Sequence, residues 1–247
     1  MKDFVLEVCI DSAESAQAAA DGGATRLELC ANLVIGGTTP SLFLYREIRK
    51  FTDITVHAII RPRFGDFCYT DSELRIMTAE IKQFRDDGVE GIVTGVLLPE
   101  GVIDMSAMEK LCKAADGMHI AMHRAFDMCK DPFLALKQAE ELGIQTILTG
   151  GKQNNCLDGA ELIKELAAKT KIDIMAGSGV SAKTIPEIRK ITGISSYHLS
   201  GKVTIESPML YRDQNLKMGL PSLSEFHLQK TSVELISAAR KTLEEIE

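Results

Sequence analysis

Apolar and polar residues alternate with a period of two in several short stretches of this chain, and each stretch is followed by apolar residues at helical spacing. In RLELCAN, Arg26, Glu28, Cys30 and Asn32 fall on one face, and Leu27, Leu29 and Ala31 on the other. That pattern predicts a half-buried strand. The stretch Phe4 to Ile10 repeats it, with Glu7, Cys9 and Asp11 on one side and Phe4, Leu6, Val8 and Ile10 on the other. Further strands are predicted over Thr55 to Arg61, Gly91 to Leu98, His119 to Asp127, Thr146 to Thr149, Asp173 to Ala176 and Tyr197 to Ser200. Gly91 to Leu98 is nearly all apolar, as expected of a strand buried on both faces.

Helix signals lie between these strands. Asp11 or Ser12 can cap a helix over Ala13 to Asp21, which Gly22 and Gly23 stop. Gly36, Gly37 and Thr39-Pro40-Ser41 read as a turn leading into a helix over Pro40 to Phe51. Thr70 and Glu73 form a capping-box pattern. Helices are also predicted from about Ser106 to Ala115, from Asp131-Pro132, from near Asp158, and after Ser181. A last one is expected at the pair Thr231 and Glu234.

Strand and helix thus alternate eight times in 247 residues. Such alternation implies parallel strands joined by right-handed crossovers. Its size matches a closed TIM (β/α)8 barrel. A doubly wound open sheet fits the alternation too, but it does not favour polar residues on the same face of strands one, two, three, five and eight. With no shift of composition along the chain, a single barrel domain is expected over residues 1–247. Residues 202–230 break the rhythm and form an extended segment, with Met209, Tyr211, Met218 and Pro221, too long for an ordinary connector. It is expected to make contacts, and a homo-oligomer is one way to use it.

Composition narrows the setting. A net charge of −7 without a basic tract argues against a nucleic-acid surface. No apolar run approaches the roughly 20 residues of a membrane span. The opening MKDFVLEV carries acids and does not read as a signal peptide, so a cytoplasmic location is expected. The six cysteines are then better read as reduced thiols than as a disulfide framework.

In a barrel, the C-terminal ends of the strands and the loops after them build the site. The polar faces bring Glu7, Cys9, Glu28, Cys30, His57, Arg61, His123, Asp127, His198 and Ser200 towards one mouth. Cys9 and Cys30 belong to a repeated Glu-x-Cys unit on neighbouring strands, which lie about 4.8 Å apart. If the registers match, two thiolates meet, and two suffice for Cu(I), whereas structural zinc usually needs four ligands. The plainer alternative is that each is a small buried hydrophobe, as free cysteine commonly is. Glu7, Glu28 and Arg61 could form a carboxylate–arginine cluster that fills the barrel, or a general base beside an anion clamp. His123 with Asp127 reads either as an acid–base residue and its orienting carboxylate or as a histidine bonded into a polar pocket. Gly177, Ser178 and Gly179, ahead of a predicted helix, with Ser200 and Gly201 after strand eight, occupy the position where many barrels hold phosphate.

As a set, LEVC (6–9), RLELCANL with GGTTPS (26–41), IIRPRFGDFCY (59–69), MHRAFD (122–127), ILTGG (147–151), IMAGSGV (174–180) and SPMLYR with MG (207–219) resemble the CutC family of copper homeostasis proteins. The resemblance implies a TIM barrel, a cytoplasmic role in copper tolerance or trafficking, and Cu(I) at Cys9 and Cys30. Phe64 and Ser178 stand where members often carry glycine. Beside that expectation stands the residue-level alternative. It is a barrel enzyme, a lyase, isomerase or hydrolase, acting on a small phosphorylated or carboxylated metabolite through Glu7, Glu28, Arg61, His123 and Asp127.

Overall fold

Apolar residues on one side of most strands and hydrogen-bonding residues on the other leave the chain two surfaces to bury, and a closed barrel buries both. The computed structural model describes residues 4–213, 215–216, 218–220 and 223–246; Pro221 lies outside them. Eight parallel strands close into one barrel in sequence order. They are β1 (Val5–Ile10), β2 (Arg26–Leu29), β3 (Thr55–Ile59), β4 (Gly91–Thr94), β5 (His119–Met122), β6 (Thr146–Thr149), β7 (Asp173–Ala176) and β8 (Ser196–Leu199), and β8 pairs back onto β1. The intervening helices are α1 (Ala13–Asp21), α2 (Leu42–Ile48), α3 (Asp71–Asp86), α4 (Met105–Ala114), α5 (Pro132–Glu141), α6 (Ala160–Ala167) and α7 (Ile185–Thr192). This is a TIM (β/α)8 barrel. No helix among the described residues is long and apolar enough to cross a membrane.

Leu6, Val8, Leu27, Leu29, Ile92 and Tyr197 lie in the large apolar layer beneath the helices. Of the helix signals, Ser12 caps α1 and the Thr70–Glu73 box caps α3. Asp131 caps α5 through the amides of Phe133 and Leu134.

Several boundaries differ from the pattern. The amide of Thr39 donates to the Arg61 carbonyl, and the Arg61 amide to the Thr39 hydroxyl, which keeps the chain extended past Pro40. Ser41 therefore caps α2, and Pro40 lies outside it. β2 stops at Leu29, because Asn32 takes a left-handed conformation and Leu33–Ile35 form a 3-10 turn. β5 stops at Met122, because His123 caps a second 3-10 turn, Arg124–Met128. Thr184, not Ser181, precedes α7. At the end of the chain Ser232, not Thr231, accepts from an amide of the last helix, that of Leu235.

The 202–230 segment contains structure that its polarity did not announce. β9 (Lys202–Glu206) and β10 (His227–Thr231) form an antiparallel hairpin, followed by α8 (Val233–Ile246). The hairpin docks on α1 through Lys230 to Glu14 at 2.8 Å and the Thr231 amide to the Ser15 hydroxyl at 3.2 Å. Met209, Leu210, Tyr211 and Met218 are exposed.

Candidate functional site in the barrel mouth

Barrel interiors are usually layers of branched apolar side chains; this one is largely polar. The Glu7 carboxylate accepts from Arg26 Nε at 2.5 Å and bonds His198 Nδ1 at 2.7 Å. A second chain runs from His119 Nε2 to the Thr146 hydroxyl at 2.9 Å, and from Ser196 to Asp173 at 2.7 Å. His57 stacks on His119 with ring centroids 4.7 Å apart. Gly91 makes that stack possible, since a Cβ there would stand 2.4 Å from His57 Cδ2.

The partner of the buried glutamate is thus Arg26, from β2, and not Arg61. The β1–β2 register explains this: Glu7 faces Arg26 and Cys9 faces Glu28. The two Glu-x-Cys units are therefore offset by two residues and do not sit side by side. Arg26 lay on the polar face of the strand pattern all along, two residues before Glu28. Its pairing with β1 needed the register, which the sequence does not carry.

Above that layer, Cys9 Sγ, a Glu28 oxygen and a His198 ring nitrogen all lie within 4.8 Å of one another. They come from β1, β2 and β8. His198 Nε2 is 3.8 Å from Glu28 Oε2, and Cys9 Sγ is 3.7 Å from the Leu199 carbonyl. Cys30 lies just past the end of β2 and donates its thiol to Glu28 Oε2 at 3.4 Å. Cys9 and Cys30 pack in one small inner cluster with Ile59, Val93 and Ala121.

Charge in this group is unevenly held. Burial pushes the Glu7 carboxyl up, but Arg26 with His198 and His57 outweighs it and holds the group well below the usual carboxylate range. Glu28 goes the other way: burial raises it, His198 opposes, and the neighbouring Glu7 adds to the rise. Burial, Glu28 and Cys9 push the Cys30 thiol far up, so it stays a protonated donor. Burial works against a charge on His198, yet Cys9, Glu28 and Glu7 push its imidazole well above the ordinary 6.5.

A cavity of about 560 Å³ opens over these groups, lined by Cys9, Glu28, Arg61, His123, His198 and Ser200 among others. Glu7, His57, Cys30, Asp127 and Gly201 do not line it. His123 and Asp127 are not partners. His123 Nδ1 accepts from the Ala125 amide at 3.2 Å. Asp127 instead ties down the β6 loop, accepting from Arg124, Thr149 and the amides of Gly150 and Lys152. The tight 3-10 turn after His123 separates the two side chains.

The glycine stretch after β7 lines the cavity, with Gly177, Ser178, Gly179 and Ser200 in its wall, but no helix starts directly after it. The Gly177 amide is spent on the Thr149 carbonyl within the sheet. The Ser178 hydroxyl donates to the Asn154 carbonyl. α7 begins six residues after Gly179, at Ile185. Ser178 holds φ +76, a conformation glycine adopts without strain. Gly201 packs against α8, where a Cβ would meet Ile236 Cδ1 at 2.3 Å.

The model of the CutC family matches residues 4–203. A CutC family protein of Photobacterium profundum is 43% identical over 94% of this chain and 96% of its own length. One from Bacteroides fragilis is 41% identical over 100% of this chain and 98% of its own. The solved structure of CutC from Streptococcus agalactiae superposes with a TM-score of 0.76 at 33% identity, covering 80% of this chain and 98% of that one. Thiamine phosphate pyrophosphorylase from Pyrococcus furiosus reaches a TM-score of 0.61 at 15% identity, covering 99% and 98%; this likeness extends to the fold alone.

Proposed function

The chain belongs to the CutC family, and from that footing we propose that it takes up Cu(I) at the barrel mouth, with Cys9 and His198 as ligands and Glu28 beside them, in the reducing cytoplasm. The observation that carries the proposal is the convergence of sulfur, nitrogen and oxygen donors from three strands within 4.8 Å. Thiolate and imidazole suit a soft cation, while a carboxylate is a harder donor. Glu28 is therefore assigned to the rim of the site, where it also accepts from Cys30.

Glu7 supports the reading from behind. Its carboxylate accepts at His198 Nδ1, 2.7 Å away, which leaves Nε2 as the nitrogen facing Glu28. Carboxylate partners of this kind fix the tautomer and orientation of metal-binding histidines. The same bond retains a proton on the ring when no metal is bound, so metal and proton compete for Nε2. Cys30 is not a ligand in this reading; its thiol donates to Glu28. Copper is cargo here, and the cavity above gives it a way in and out.

Anaerobic titration of Cu(I) against a chromophoric chelator tests this. One tight site per chain is expected. Cys9→Ser and His198→Gln are expected to weaken it by roughly tenfold or more, in line with ligand loss. Cys30→Ser is expected to change it little. Unaltered affinity in Cys9→Ser refutes the assignment.

A further inference from the structure

Arg61 is 7% exposed, and its guanidinium donates to four backbone carbonyls, those of Ile35, Gly36, Gly37 and Gly65. The ion pairs found among the described residues include none to Arg61, and its Nε has no hydrogen-bond partner. Carbonyl dipoles solvate a guanidinium but leave its net charge in place. A buried cation without a counter-ion is costly, and proteins usually resolve that cost with a carboxylate or a ligand.

His123 is a second unmatched group in the same wall. It is 5% exposed, and its ring packs on Phe67 with centroids 4.9 Å apart, while the Arg61 guanidinium lies 5.1 Å from that same ring. The Ala125 amide donates to Nδ1, so Nδ1 carries the lone pair and the proton of the neutral ring resides on Nε2. That N–H is buried with no acceptor. Burial, then the charge of Arg61, push the imidazole down to about 3, in keeping with a neutral donor.

Arg61, His123 and Phe67 all line the cavity of about 560 Å³. Leu33, Ile59, Leu148 and Val180 supply apolar wall to the same space, and Lys202 and Arg124, the latter paired with Asp127, add further cations. Glu28 and His198, also in the wall, face each other at 3.8 Å and offset each other's charge. A guanidinium without a counter-ion and an unpaired N–H donor beside apolar surface describe a receptor for an anionic oxygen on an organic body.

We propose that the mouth binds a small organic oxyanion, a carboxylate or phosphate ester, whose charged oxygens are received by Arg61 and His123 Nε2–H. The site uses none of Cys9, Glu28 or His198. It therefore stands or falls separately from copper uptake, although one cavity would hold both ligands.

The test uses the full metal-free chain, with malonate and inorganic phosphate as probes, and histidine proton–nitrogen correlation spectra as the readout. In the free protein His123 is expected as the Nε2–H tautomer. A saturable downfield shift of that proton with malonate assigns a carboxylate site, and with phosphate a phosphate site. Arg61→Met and His123→Leu are each expected to weaken binding about tenfold or more, the loss typical of a hydrogen bond to a charged group, whereas His123→Gln, which keeps a donor, loses less. Should Arg61→Met fail to fold, the His123 shift in the unaltered chain decides. Spectra that neither probe moves, or an Nδ1–H tautomer, overturn the proposal, as does a folded Arg61→Met that binds like the parent.

Discussion

His198 Nδ1 lies 2.7 Å from Glu7 Oε1, and the other oxygen of that carboxylate lies 2.5 Å from Arg26 Nε. One side chain on the first strand thereby joins the second strand to the eighth, across the seam where the barrel closes. All three groups are largely withdrawn from water. Charge inside protein is tolerated when it is paired, and removing one member leaves the others exposed to the full desolvation penalty.

Glu7→Gln is accordingly expected to cost about 3–5 kcal/mol, the range for breaking a buried pair on one side. Urea denaturation measures it. Adding Arg26→Met to the same chain removes the stranded cation and is expected to recover part of the loss. A Glu7→Gln protein as stable as the parent contradicts the role given to this carboxylate.

Gly91 makes a separate prediction, about space and not charge. A Cβ there would stand 2.4 Å from His57 Cδ2 and 2.6 Å from Nε2. His57 is buried and stacked on His119, so its ring has little room to retreat. Gly91→Ala is expected to destabilise the barrel by about 1–3 kcal/mol, the usual cost of overpacking. In a His57→Ala background the same substitution should cost much less. Equal costs in both backgrounds, by denaturant titration, refute the steric account.

His123 gives the molecule a pH dependence of known sign. Its imidazole sits at about 3 in the fold, against an ordinary value of 6.5. Between these values the unfolded chain takes a proton that the folded chain declines. Stability from this group is therefore present above the ordinary value and falls as pH drops below it, by about 1.4 kcal/mol per pH unit. His57, also held at about 3 chiefly by burial, acts in the same direction. In His123→Gln one of the two contributions is absent. The stability of that variant relative to the parent should thus rise by about 1.4 kcal/mol per pH unit on acidification from roughly pH 6 to 5. Urea titrations at several pH values check this, and a constant difference excludes it.

Much of the barrel was legible because strand periodicity and helix caps are local. Thr146–Thr149, Asp173–Ala176 and Ala13–Asp21 are found within the limits that their residues set. The misplaced boundaries have two causes, a tertiary bond that overrides a local preference and a local side-chain cap that ends a strand early. Thr39 pairs with Arg61 and delays α2 past Pro40. His123 bonds the Ala125 amide and curtails β5. The candidate site was legible as an inventory and not as an arrangement. Glu7, Glu28, Cys9 and His198 could be named from their common face. Which cation serves Glu7, and which donor joins Cys9, depended on a strand register that no single strand specifies. The β9–β10 hairpin was missed although Val203 and Ile205 alternate with Lys202, Thr204 and Glu206, because its partner strand begins only after residues 207–226.

The seam between β1 and β8 also bears on how the protein emerges from synthesis. Glu7 and Arg26 lie 19 residues apart along the chain, but His198 follows Glu7 only after 191. Until then the inner face of β1 carries a carboxylate whose imidazole partner has not been made. An N-terminal fragment of the barrel would have to keep that face wet, since an unsatisfied polar group resists burial. Closure of the sheet is therefore expected to wait for the eighth strand, which supplies both the β1 pairing and the imidazole.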